Sequence, residues 1–169
     1  MIPFPEKKYQ VIYADPPWRY SFSKSLSRKI ENHYETMSIN DICSLPVPTD
    51  KNCVLYLWAT APKLREALAV IDAWGFEYKS HAVWDKERIG MGYWFRGQHE
   101  LLMVATKGKI SPPDIPLRVP SVIREKRGRH SKKPDKVRNL ISGWFPQCNK
   151  LEMFARKSSP GWDVWGNEV

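Results

Sequence analysis

Residues 9–18 read YQVIYADPPW, and no other stretch narrows the fold as much. YQVIYAD, Tyr9–Asp15, reads as a short buried strand. The two prolines must end it, because proline cannot continue a sheet ladder and forces the residue before it out of helical angles. Asp15 therefore stands at the carboxyl end of a buried strand, with an indole, Trp18, three residues on. Further strands are predicted in CVLYLWAT, FEYKSHAVWDK, ELLMVATKG, KLEMFAR and WDVWGNEV. Between them lie helical patterns. SINDICSL is a short helix capped by Ser38, with Asp41 three residues on. Pro62 opens a helix with Leu64, Ala67, Leu68 and Ile71 on one face, stopped near Gly75. Pro134 begins another with Val137, Leu140, Ile141 and Trp144 on one face. Residues 19–36 and 86–97 read as loops, and SPPDIPLRVP as neither helix nor central strand. Alternating strands and helices predict one α/β domain over residues 1–169 around a mainly parallel sheet. Such sheets bind ligands beyond the carboxyl ends of their strands. Asp15 and Arg156 both stand at such ends, where one pocket can hold them.

Charge narrows the ligand. The formal net charge is +9. Between Lys107 and Arg138 eleven Lys and Arg face three acids, a balance of +8, so nearly all the excess lies in one segment. A concentrated basic stretch suits a polyanion, most often nucleic acid, although a solvated loop has the same composition. Nothing approaches the roughly 18 apolar residues of a membrane span, and MIPFPEKKYQ has no signal-peptide pattern. The expected location is the cytoplasm. Cys43, Cys53 and Cys148 have no metal-type spacing and read as free thiols. None follows a proline, so nothing suggests a thiolate attacking a pyrimidine ring.

One chemistry wants a frozen carboxylate, a fixed carbonyl and an indole together. The exocyclic amine of adenine is a poor nucleophile because its lone pair is delocalised into the ring. Two acceptors gripping its N–H bonds turn the nitrogen towards tetrahedral geometry and free the pair for a methyl group. Asp15 supplies one acceptor, and the Pro16 carbonyl, its direction fixed by the ring closures of Pro16 and Pro17, supplies the other. Trp18 offers a face for a base swung out of its stack. The plainer alternative is a tight Pro-Pro turn with a core tryptophan.

With ADPPW, HYETMS, VLYLWAT, GYWFRGQHELLMVATKG, HSKKPD, KLEMFAR and the terminal WGNE in this order, the chain resembles the DPPW-type adenine-N6 methyltransferases. That family includes the eukaryotic messenger-RNA adenine methyltransferase and bacterial and phage DNA enzymes. The resemblance implies an S-adenosylmethionine-dependent, Rossmann-like fold, permuted so that the catalytic motif precedes the cofactor strand. It implies Asp15, Pro16, Pro17 and Trp18 as the catalytic motif, with Asp15 also near the ammonium of the cofactor's methionine part. Lys133 matches the lysine on the methionine carboxylate. Arg156 and the residues beyond it, including Ser158, match the ribose-contacting segment, and Asn167 and Glu168 meet ribose and adenine. Physics supports part of this separately. Lys133 precedes a helix, where free N–H groups add to its charge, and an acid after a strand commonly meets ribose hydroxyls. RKSSPG departs from the family, placing Ser158 and Ser159 where members often have His and Asn.

With no accessory domain in the pattern, substrate contacts fall to the loops. Expected nucleic-acid contacts are Arg19 and Tyr34 in 19–36, Lys86, Trp94 and Arg96 in 86–97, and Arg124, Arg127, Arg129 and His130 in the basic stretch. Cations neutralise the backbone and aromatics stack on bases. Tyr34 and Trp94 are equally readable as packing residues, and His130 as an exposed loop histidine. DNA is favoured over RNA, and a homodimer is expected because so compact an enzyme gains reach by pairing. Two readings compete: a silent nucleic-acid-binding subunit, against which the intact Asp15 speaks, and methylation of another planar amine, whose enzymes tend to carry Ser or Asn in place of the aspartate.

Overall fold

A computed structural model of the chain describes residues 3–20, 36–128 and 132–166. Among them are seven strands: β1 (Tyr9–Ala14), β2 (Thr49–Ala59), β3 (Glu77–Asp85), β4 (His99–Lys107), β5 (Val122–Arg124), β6 (Lys150–Met153) and β7 (Asp163–Trp165). The helices are α1 (Ile39–Cys43), α2 (Leu64–Ala73) and α3 (Asp135–Trp144). The strands form one sheet in the order β5-β3-β4-β2-β1-β6-β7. Only β4 runs antiparallel to its neighbours, β2 and β3; the other pairings are parallel. This is the expected mainly parallel α/β sheet.

Strand alternation builds two cores, one on each face. Ile12 and Ala14 join Leu55, Leu57, Met103, Leu151 and Met153 beneath α1 and α2. Val11 and Tyr13 join Val54, Tyr56, Trp58 and Leu102 beneath α3. A sheet covered on both faces needs apolar residues at successive positions, which is why YQVIYA and CVLYLWA read as unbroken apolar runs. Fully burying a side chain such as Ile12 or Leu57 contributes about 2 kcal/mol, so the central strands are a rigid base for what stands at their ends.

Several elements differ from the sequence expectation. Pro62 lies in a single 3₁₀ turn, Ala61–Lys63, before α2 begins at Leu64. Ala67 and Ile71 are buried as expected, with Val70 beside them and Leu68 packed against the core, while Leu64, at the first turn, is 41% exposed. SPPDIPLRVP contains one 3₁₀ turn, Ile115–Leu117. β5 was not expected; it forms because Val122 pairs with Val83 at the sheet edge. KLEMFAR leaves the sheet after Met153, since Phe154 takes a left-handed φ of 60°. Cys53 is buried, and Cys43 and Cys148 are half-buried free thiols. Among the described residues no helix is long and apolar enough to cross a membrane.

Candidate active site

β1, β2, β3 and β6 all end on one side of the sheet, and β4, running the other way, begins there. Asp15 follows β1 directly, Glu100 is the second residue of β4, and Lys133 enters α3 from the same side. Their side chains meet. Lys133 Nζ donates to Asp15 Oδ2 at 2.6 Å and lies 3.3 Å from Glu100 Oε2. Lys86 Nζ donates to Glu100 Oε1 at 3.3 Å. Lys133 also lies 5.7 Å above the Trp58 ring, a cation–π placement. The result is an alternating chain of charges, Asp15–Lys133–Glu100–Lys86, in a recess where the Lys133 and Glu100 side chains are each 11% exposed.

The recess tunes Asp15 and Lys133. Burial raises the Asp15 carboxyl above its ordinary value; Lys133 offsets part of this and Glu100 adds to it. Burial works against the Lys133 charge, but the neighbouring Asp15 and Glu100 carboxylates outweigh it and raise its pKa. Lys133 is therefore a firmly held cation, and Asp15 a carboxylate that takes up a proton more readily than usual.

The DPPW turn is pinned on all sides. The Pro16 carbonyl accepts from Trp18 N at 2.8 Å and the Pro17 carbonyl from Met37 N at 2.9 Å. The Trp18 indole donates to the Trp58 carbonyl at 3.1 Å. A carbonyl has two lone pairs, so Pro16 keeps capacity for a second donor. Trp18 is placed otherwise than the sequence suggested. Its ring is 5% exposed and packed in the core, so it holds the turn in place instead of presenting a stacking face. The cause is tertiary: the indole N–H finds its acceptor inward, at the end of β2.

A second ion-pair group supports the site from below. Arg138 on α3 donates from Nη2 to Glu152 Oε1 at 3.0 Å, and its Nε lies 2.8 Å from Oε2. Its Nη1 donates to Ser159 Oγ at 2.9 Å. Asp135, the first residue of α3, is approached by Lys132, Lys157 and Arg138. These contacts tie the start of α3 to the segment after β6 and fix the backbone that carries Lys133. Arg156 and Ser158 lie exposed on that segment, and the Arg156 charge reaches Asp15. Next to it, the chain leaving β7 comes so close that a Cβ at Gly166 would stand 2.4 Å from the Ala155 carbonyl oxygen. Only glycine allows that approach. Asn167 and Glu168 follow, outside the described residues.

Of the expected nucleic-acid contacts, Arg19, Trp94, Arg96, Arg124 and Arg127 are exposed. Lys86 is not: it is 13% exposed and paired with Glu100, because a carboxylate buried at the start of β4 requires a cation. Trp94 is 95% exposed, so its packing alternative falls away. Tyr34, Arg129 and His130 lie outside the described residues. Glu100 was missed. The available signal was a carboxylate immediately before the apolar run LLMVA. Among the described residues, no group of three or more His, Cys, Asp and Glu side chains is arranged to hold a metal ion.

The MT-A70 family model matches residues 9–168. The chain is 38% identical to the type II methyltransferase M.MunI of Mycoplasma sp over 98% of its own length and 79% of that protein. It is 27% identical to the human N(6)-adenosine-methyltransferase catalytic subunit METTL3 over 96% of its length, and 28% identical to the human N(6)-adenine-specific methyltransferase METTL4 over 96%. It spans 28% and 38% of those two longer proteins.

Proposed function

The chain belongs to the MT-A70 family, and from that premise we propose that it transfers a methyl group from S-adenosylmethionine to the N6 amine of adenine in DNA. The observation that carries this reading is the Asp15–Lys133 pair, which joins the carboxyl end of β1 to the start of α3. A carboxylate and a lysine side by side suit the two ends of a methionine zwitterion, Asp15 the ammonium and Lys133 the carboxylate, with Glu100 retaining the lysine. Arg156 and Ser158 continue the surface towards a ribose, and ribose and adenine contacts from Asn167 and Glu168, which lie outside the described residues, belong to the same proposal. S-adenosylmethionine supplies a methyl group on a positively charged sulfur. The chain supplies the rest. The Asp15 carboxylate and the Pro16 carbonyl grip the amine N–H bonds, and Pro17 and Trp18 hold that carbonyl still. Asp15 then takes the proton the nitrogen sheds. A part-buried recess lowers the competition from water for these hydrogen bonds.

The 38% identity with the type II methyltransferase, against 27% with the adenosine methyltransferase, favours DNA over RNA. Equal amounts of unmethylated duplex DNA and RNA, presented together with labelled donor, test this. Label should enter the DNA, and entry into RNA alone would move the substrate to RNA. The homodimer remains part of this reading, giving a single-domain enzyme the reach of two copies.

Donor binding should show in melting. At 100 times its Kd, S-adenosylmethionine stabilises the native state by about 2.7 kcal/mol, a rise in Tm of about 5–10 °C for a chain of this length. An unchanged Tm at millimolar donor would favour the silent-subunit alternative. The pH profile tests Asp15. Transfer needs its carboxyl ionised, and its folded pKa is raised. Activity should therefore fall on acidification with a midpoint above the ordinary value of about 4. Glu100→Gln removes one of the charges that raises it, so the midpoint should move down. A midpoint that stays or climbs contradicts the assignment.

A further inference from the structure

The connection between β3 and β4 carries the most exposed apolar side chains described: Met91 is 85% exposed, Tyr93 90%, Trp94 95% and Phe95 90%. It is a built feature. Lys86 N donates to the Gln98 carbonyl at 2.9 Å, Gly90 N to Gly97 at 2.8 Å and Gly97 N to Met91 at 3.0 Å, closing a hairpin-like tip. Arg96 Nε donates across it to the Gly90 carbonyl at 3.1 Å. A Cβ at Gly92 would stand 1.9 Å from the Phe95 carbonyl oxygen, so glycine is what lets the chain turn tightly there and push three consecutive rings outward.

The tip is also tied to the catalytic recess. Its first residue, Lys86, is the far end of the charge chain that reaches Asp15 through Glu100 and Lys133. The Lys86 carbonyl accepts from Arg127 N at 3.1 Å, and Arg124 stands 4.0 Å from Asp85. The basic segment thus runs beside the root of the tip, while Arg88 and Arg96 flank the rings within it. Cations accompany an aromatic point whose root is tied through Glu100 and Lys133 to Asp15.

We propose that Tyr93, Trp94 and Phe95 form a wedge that enters duplex DNA at the target step and fills the gap left when the adenine is extruded into the Asp15 recess. This rests on the function proposed above. Asp15 and Lys133 are recessed, so a paired adenine cannot meet them without leaving the stack, and extrusion costs unstacking energy that an inserted side chain offsets. The flanking arginines match the phosphates on either side. An aromatic surface this exposed calls for a covering partner, and the cations around it select a polyanion.

The test uses the full chain, Trp94→Ala and Trp94→Phe. The probe is a DNA duplex containing a site first mapped by sequencing methylated genomic DNA. Its target adenine is either normally paired or opposite an abasic residue, which removes most of the cost of extrusion. Trp94→Ala should methylate the paired duplex about tenfold or more slowly, as losing one aromatic stack implies. Its defect on the abasic duplex should shrink to about threefold, and Trp94→Phe should recover most of the rate on both. Equal loss on both duplexes, or no loss on either, overturns the wedge. If equal loss comes with a halved mass in sedimentation, the tip is a contact between copies instead. If the unaltered chain methylates the abasic duplex no faster than the paired one, extrusion is not what limits it, and the wedge falls while the methyltransferase reading stands. If it methylates no DNA at all, both fall.

Discussion

Asp15→Asn should lower methyl transfer by about 10³-fold or more while leaving the protein folded. Removing one preorganised hydrogen-bonding group from a site where charge develops costs about 10²–10³ in rate. Here the same group also takes the departing proton, and its amide replacement keeps an acceptor oxygen but has neither the negative charge nor the basicity to do so. Stability should behave differently. Burial raises the Asp15 carboxyl, so its ionised form is disfavoured in the folded chain relative to the unfolded one. What a raised carboxyl contributes to stability is present below the unfolded pKa and lost as pH rises through the folded one. At neutral pH the fold therefore loses little without it, and Lys133 keeps Glu100 as partner. Unchanged melting with transfer near the original rate would remove Asp15 from the chemistry.

Lys133→Met should weaken S-adenosylmethionine binding about 100-fold, the scale expected when one partner of a desolvated charge pair is removed. Unlike Asp15→Asn, it should also destabilise the chain. Asp15 and Glu100 would be left in the recess without the cation between them, and breaking a buried pair from one side costs about 3 kcal/mol. Calorimetric titration with the donor and thermal melting check the two effects separately. Lys133→Arg keeps the charge and should recover stability before it recovers affinity, because the planar guanidinium does not replace a compact ammonium. Donor affinity unchanged in Lys133→Met would place the methionine carboxylate elsewhere.

What the sequence disclosed follows from which interactions are local. YQVIYAD and CVLYLWAT are legible because strands covered on both faces need apolar residues without interruption, and Pro16–Pro17 marks the end of β1 to within one residue, since the strand stops at Ala14 and not Asp15. Lys133 is legible because it precedes the α3 pattern directly. β5 is not: Val-Ile-Arg lies among prolines and cations, and only its pairing with Val83 makes it a strand. The direction of Trp18 depends on the carbonyl of Trp58, forty residues away. Glu100 and its pairing with Lys86 were hidden for a similar reason. They lie on either side of the β3–β4 connection, and only the antiparallel insertion of β4 brings them to the end of β1. Sequence motifs located the chemistry, and tertiary pairing decided which charges share it.

The most direct measurement is mass spectrometry of the nucleosides from unmethylated duplex DNA incubated with labelled S-adenosylmethionine and either the original chain or Asp15→Asn. The original chain should give labelled N6-methyladenine, and Asp15→Asn none above background. Label on cytosine N4 instead, or equal N6-methyladenine from both proteins, would contradict the role given to the Asp15–Lys133 site.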